Sequence, residues 1–267
     1  MKDTYLLDNY SINFNGNLLN LNTPIIMSIL NTTPDSFFDG GNYNSLEGAL
    51  KKVEKDLESG ATIIDIGGYS TKPNGHEVSL EEEIKRTIPY IEAIIRRFPN
   101  IKLSIDTFRG KVASLALQAG AGMINDISAW NIDDEMIKIV SKYKVPYVLM
   151  HMRGKPKTMQ NQPHYDNLIK DILDFLVKKI DILKSNGLKD IIIDPGFGFG
   201  KTIAHNYSIL SNLNCFKVLK LPILVGISHK SMIFKKLKIS KLDTLNGTTA
   251  LNMYSLSKGA KILRVHD

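Results

Sequence analysis

The sequence predicts an α/β fold in a single domain over residues 1–267, a closed (β/α)8 (TIM) barrel, on three observations. Short, almost continuously apolar runs alternate with longer amphipathic stretches, as expected of parallel strands buried on both faces and covered by helices. A chain of 267 residues, 43% of them hydrophobic, matches one barrel of about 250 residues. Nearly every apolar run also ends in polar or glycine residues, as strands do where they meet at a barrel mouth.

The runs, in order, are Ile25–Leu30, Ile63–Ile66, Leu103–Ile105, Met123–Ile124, Val145–Met150, Ile191–Ile193, Ile223–Ile227 and Ile262–Val265. Helical periodicity separates them, for example over Leu80–Phe98 and Leu168–Ser185. Before Pro24, Ser11–Phe14 and Leu18–Leu21 flank an Asn15-Gly16-Asn17 turn and read as a hairpin able to cap the barrel's bottom. The polar ends are Asn31, Gly67-Gly68, Asp106-Thr107, Asn125-Asp126, His151, Asp194-Pro195-Gly196, Ser228 and Arg264–Asp267. Parallel closure brings these ends to one mouth. Helix capping accounts for one polar residue per strand. It accounts less well for a ring of acids, amides and late basic residues.

Bulk properties exclude several classes. No apolar run reaches eighteen residues, so no membrane span is expected. The first residues, MKDTYLLDNYSINFNG, show no apolar core of a signal peptide, so the expected location is cytoplasmic. Cys215 is the single cysteine, which excludes a disulfide framework and a thiolate metal site. The net charge is +7 with a pI of about 9.2. The lysines are scattered, as at Lys178-Lys179 and Lys235-Lys236, and no arginine-rich tract with aromatics occurs, so no nucleic-acid partner is expected.

Several motifs at the strand ends are distinctive together. They are NTTPDSFFDGG from Asn31, DIGGYSTKP from Asp65, SIDT at Ser104–Thr107, INDI at Ile124–Ile127 and LMHMRGKPKTMQ at Leu149–Gln160. DPGFGFGK at Asp194–Lys201, SHKS at Ser228–Ser231 and RVHD at Arg264–Asp267 complete the series. In this order they resemble the dihydropteroate synthase family of pterin-binding barrels, over nearly the whole chain from Ile25.

The resemblance implies an alkyl-transferring enzyme of folate biosynthesis. It would join 6-hydroxymethyl-7,8-dihydropterin pyrophosphate to p-aminobenzoate, giving 7,8-dihydropteroate and pyrophosphate. It further implies Mg2+ as cofactor, sulfonamide inhibition and a homodimer. By the same resemblance Asp194 accepts the pterin's paired N–H donors, with Asn125 beside it, while Met150, Gly198 and Phe199 line the flat ring. A carboxylate suits such donors because it accepts two parallel charge-assisted hydrogen bonds. Asp106 would stabilise the cation left when the methylene–oxygen bond breaks. Asn31 would hold magnesium, an ion that keeps water and takes few protein ligands when phosphates supply the rest. Arg264 and His266, on the inward face with Ile262, would hold the diphosphate. Ser228 and the helix expected over Ser228–Ser231 would meet the p-aminobenzoate carboxylate, and Lys230 would stack over the pterin. Asp35, Thr71, Lys72 and Pro73, from the first two loops, complete the implied set.

Other readings stand beside these. Asp106 and Asp194 could cap a helix and a turn, and Phe199 and Met150 could be core. PGFGFGKT lacks the leading glycine of a phosphate loop, having Pro195 there. Two other functions also fit the motifs in part: a methyltetrahydrofolate-type methyltransferase and a non-catalytic pterin-binding paralogue. Lys72 and His229 stand where the family pattern has arginine. The chain ends at Asp267 with no helix after the last strand. Leu263 and Val265 are therefore expected to be more exposed than Leu103 and Ile105, the outward pair of the third barrel strand.

Overall fold

The computed structural model describes residues 10–33, 45–69, 77–154, 159 and 163–267. A two-stranded antiparallel hairpin, β1 (Ser11–Phe14) and β2 (Asn17–Asn20), precedes the barrel. Asn15 and Gly16 both take positive φ, the geometry a two-residue hairpin turn needs to match strand twist. Eight parallel strands then close: β3 (Ile25–Asn31), β4 (Ile63–Gly67), β5 (Leu103–Asp106), β6 (Met123–Asp126), β7 (Tyr147–Met150), β8 (Ile191–Asp194), β9 (Ile223–Val225) and β10 (Ala260–Val265). Strand β10 pairs with both β9 and β3, completing the circle.

Helices α1 (Leu46–Glu58), α2 (Leu80–Arg97), α3 (Gly110–Gln118), α4 (Glu135–Tyr143), α5 (Leu168–Ser185) and α6 (Ile203–Ser211) follow the first six barrel strands in turn. Helices α7 (Ser231–Leu237) and α8 (Leu245–Ser257) lie between β9 and β10. Helix starts follow local chemistry. Ser79 accepts the Glu82 N–H and three glutamates occupy the first turn of α2, with Arg96 and Arg97 in its last. Thr202 and His205 cap α6 reciprocally.

Two apolar layers result. Outward residues such as Ile64, Leu103, Ile105, Ile124 and Leu149 pack with the helices. Inward residues Met27, Ile63, Met123, Val148, Ile192, Leu224 and Ile262 fill the barrel floor against Ile12, Phe14 and Leu21 of the hairpin segment. The hairpin does cap the bottom. A Cβ on Gly122 would lie 2.5 Å from Phe14 Cε1, so only glycine admits that contact.

Most strands begin where the apolar runs do but extend onto the polar residue after them. The exceptions are β7, which starts two residues late at Tyr147, β9, which stops at Val225, and β10, which starts two residues early at Ala260 and ends with its run at Val265. The expected apolar gap beside β10 is a correction. Leu263 and Val265 are 5% and 6% exposed against 0% for Leu103 and Ile105. The ordering is as expected, yet all four are buried. Helix α8 packs on β10 and α1 on β3, so that flank is already covered.

Candidate active site

Alternation carries the floor layer upward. One step above Ile63, Met123, Ile192 and Ile262 on the inward face stand Asp65, Asn125, Asp194 and Arg264. Asn31, Asp106 and His266 lie at or near the rim. These side chains form a network across the barrel interior. Arg264 Nε donates to Asp65 Oδ2 at 2.6 Å, and an Arg264 Nη donates to Asp106 Oδ2 at 2.6 Å. Asn125 Nδ2 also donates to Asp65 Oδ2, at 2.9 Å. Gly67 keeps the neighbourhood open: a Cβ there would lie 3.7 Å from both Asn31 Oδ1 and Asp106 Oδ2.

Asp106 is therefore no helix cap. Arg109 stands at the N-cap of α3 without a side-chain cap bond, and Asp133 takes the Gly110 N–H. Burial pushes the Asp106 carboxyl up, Arg264 pulls it down, and Asp65 and Glu83 push it up further. Asp194 serves a turn and a site together. Its Oδ1 accepts the Gly196 N–H at 2.7 Å, and its carboxyl is raised by burial while Lys230 opposes the rise.

Lys230 Nζ donates to the Phe197 carbonyl and lies 4.7 Å from the centre of the Phe199 ring. Burial lowers it to about 8, against the pull of Asp194. Gly198 takes φ +82°, a conformation that favours glycine, and a Cβ there would crowd Lys230 Cδ at 3.2 Å. Phe199 packs against a patch of Met150, Met152, Met159, Phe108 and Ile127 at the mouth, with Tyr69 alongside. An apolar, aromatic wall thus faces a ring of buried polar groups.

One expectation is corrected here. The helix after β9 begins at Ser231, and Lys230 is its N-cap. Ser228 lies before it, with Oγ 3.0 Å from His266 Nδ1. His229 stands where the family pattern has arginine. It is buried at φ +53°, with its ring bonded to Thr244 Oγ1 and Asp267 Oδ2. His266 is held well below the usual imidazole range by burial and by Arg264, so it meets the mouth as a neutral ring. Asp35, Thr71, Lys72 and Pro73 lie outside the described residues.

Sequence reasoning missed Asp65 and Lys201. Lys201 is lowered to about 7 by burial and donates to the carbonyls of His151 and Phe199 at 3.2 and 3.0 Å. Turned inward, it ties the β7 end to the β8 loop and is not a phosphate-loop lysine. The signal for Asp65 was present: a carboxylate at inward parity within an apolar strand must find partners.

A closed parallel barrel with an aromatic wall, paired carboxylates and buried cations at the strand ends defines a (β/α)8 enzyme for a flat, hydrogen-bonding heterocycle and an anion. Residues 27–266 match the family model of pterin binding enzymes. The dihydropteroate synthase of Haemophilus influenzae is 46% identical over 255 residues, 95% of this chain and 92% of that protein. The dihydropteroate synthase of Escherichia coli K12 is 42% identical, covering 94% and 89%. A Yersinia pestis dihydropteroate synthase structure with a sulfonamide drug superposes with a TM-score of 0.92 at 42% identity, covering 97% and 94%. A Xanthomonas albilineans dihydropteroate synthase structure in complex with 7,8-dihydropteroate gives 0.86 at 36% identity, covering 97% and 93%. This chain belongs to the pterin-binding enzyme family, and these relatives, matched across nearly the whole length, are dihydropteroate synthases.

Proposed function

We propose that this chain condenses 6-hydroxymethyl-7,8-dihydropterin pyrophosphate with p-aminobenzoate, giving 7,8-dihydropteroate and pyrophosphate. The observation that carries the reading is the network of Asp106, Asn125 and Arg264, opening beside Asp194 and Lys230 onto the Phe199 wall. The relatives' names support the reaction over a methyltransferase.

In the reaction the methylene–oxygen bond breaks and its electron pair leaves with the diphosphate. The arylamine lone pair forms the new C–N bond, and the amine's proton passes to solvent. Asp194 accepts from the pyrimidine N–H edge. Lys230 donates to the pterin from over Phe199. Asp106 faces the cationic methylene, where a fixed anion in a water-poor cavity counts most. Arg264 offers its remaining guanidinium N–H groups to the diphosphate, and His266 contributes as a neutral donor. By resemblance the p-aminobenzoate carboxylate is assigned to Ser228 together with the start of α7, which lies at Ser231. By resemblance Asp35, Thr71, Lys72 and Pro73 line the same cavity.

Asn31 fits a magnesium ion that arrives with the diphosphate. Its amide oxygen lies near the rim beside Gly67, and no cluster of three or more potential metal-binding side chains occurs among the described residues. Magnesium takes such a sparse site when phosphates and water complete its shell, and it would neutralise leaving-group charge. The protein is assigned to the cytoplasm, in keeping with its single cysteine; no described helix is long and apolar enough to cross a membrane. We further assign it a homodimeric state through the α7–α8 face.

The test is turnover of the pterin pyrophosphate with p-aminobenzoate, with and without magnesium, followed by pyrophosphate release. Binding without turnover would mark a non-catalytic pterin-binding paralogue. Sulfonamides, which share the arylamine and an acidic para group with p-aminobenzoate, should inhibit competitively against it. Purely non-competitive kinetics would move the subsite elsewhere.

A further inference from the structure

Asp65 has no part in the chemistry above, yet it is wholly buried at the centre of the network. It sits on β4 between Ile63, in the floor, and Gly67, at the rim. Its Oδ2 accepts from Asn125 on β6 and from Arg264 on β10. Neither strand neighbours β4, so both bonds cross the interior. Its Oδ1 is buried without a hydrogen-bond partner among the described residues. Asp106 shares the same guanidinium but retains 16% side-chain exposure, against 0% for Asp65. Asp106 can meet a substrate; Asp65, one layer down, cannot.

An ionised carboxylate only accepts hydrogen bonds. The end of the Asn125 amide that faces Asp65 must therefore be its NH2, which leaves the carbonyl oxygen to face the cavity. The same oxygen fixes the Arg264 guanidinium through Nε, leaving its terminal nitrogens for the rim. A neutral amide or hydroxyl at position 65 offers a donor as well as an acceptor, so it would enforce neither constraint.

We propose that Asp65 is a positioning residue: by holding the Asn125 amide carbonyl-outward and the Arg264 guanidinium by Nε, it aligns pterin recognition with anion capture on one buried carboxylate. This rests on the dihydropteroate synthase reading. Its test uses binding as well as turnover, so the two can fail separately.

The variant is Asp65→Asn, nearly isosteric and uncharged. Calorimetry with 6-hydroxymethylpterin and, separately, with inorganic pyrophosphate should show each affinity falling about tenfold or more, the scale of a lost charge-assisted hydrogen bond. KM for p-aminobenzoate should stay within about twofold, because that subsite lies outside the network. A cycle with Asn125→Ala should be non-additive: once the amide is gone, Asp65→Asn should cost little further pterin affinity. If Asp65→Asn does not fold, Asp65→Ser, which leaves space for water at the carboxylate position, carries the same readouts. Two results overturn the proposal: both probe affinities within about twofold of the unsubstituted protein, or a KM for p-aminobenzoate that worsens in proportion to them.

Discussion

Asp106 and Lys230 carry opposite charges into a poorly solvated mouth, and each is displaced toward neutrality for that reason. Burial raises the Asp106 carboxyl and lowers Lys230 to about 8. The proposed roles need Asp106 as an anion and Lys230 as a cation. The rate constant kcat/KM should therefore rise with pH as Asp106 loses its proton and fall above about 8 as Lys230 loses its own. Lys230→Arg, whose guanidinium stays charged, should move the upper limb to higher pH; a profile flat across that region in the unsubstituted protein would contradict the assignment. Asp106→Asn should keep pterin binding and lose at least about two orders of magnitude in kcat, as when electrostatic stabilisation of a developing charge is removed. Turnover within threefold would sink that role. Asp106, Asn125, Asp194 and Arg264 could be named from the sequence because each ends or nearly ends an apolar run in a recognisable motif. Which of them touch could not, because Arg264 reaches Asp65 and Asp106 across 199 and 158 residues of chain. Parity along one strand says which way a side chain points, not which opposite strand it meets.

Strands and helices were largely legible because apolar runs of strand length alternate with amphipathic stretches, and α5 matches its expected bounds of Leu168–Ser185. Strand ends were harder to place. Residues such as Asp106 and Asp194 are polar by composition but lie in the sheet by hydrogen bonding. The start of α7 slipped from Ser228 to Ser231 because His229 takes a left-handed turn held by Thr244 and Thr248, a long-range cause that no local pattern encodes. The hairpin was legible from its Asn-Gly turn, and its energetic weight follows from Phe14, 3% exposed against the floor. Phe14→Ala should cost about 3–5 kcal/mol as a core truncation, a fall in Tm of roughly 10 °C for a chain of this size. Activity at low temperature should remain, since the floor lies beneath the site. A Tm shift under about 2 °C would show that the hairpin only rests on the barrel.

Among the described residues, one helix stands out on the surface of the molecule. Helix α8, LNGTTALNMYSLS, carries no charged residue, in a chain that is 23% charged. Its buried positions are Thr248 and Ser255, and both are hydrogen-bonded: Thr248 Oγ1 accepts the His229 N–H at 3.2 Å, and Ser255 donates to the Leu251 carbonyl at 2.7 Å. Leu251 and Leu256 pack toward the core, but Met253 is 62% exposed and Leu245 and Tyr254 are also open, as are Leu237 and Leu242 just before the helix. A surface helix normally turns its apolar stripe inward, so the apolar residues this one leaves outside need a cover. Soluble oligomers are most often two-fold symmetric copies of one chain, and an apolar, uncharged patch fits the centre of such an interface. Paired Met253→Glu and Tyr254→Glu substitutions place two charges on that face without touching Thr248 or Ser255. They should convert a dimer to a monomer in sedimentation at micromolar concentration, with the barrel still folded. Val177→Glu, on the exposed side of α5, should leave the dimer intact. A monomer in the unsubstituted protein, or a dimer that survives the double substitution, would place the contact elsewhere or remove it.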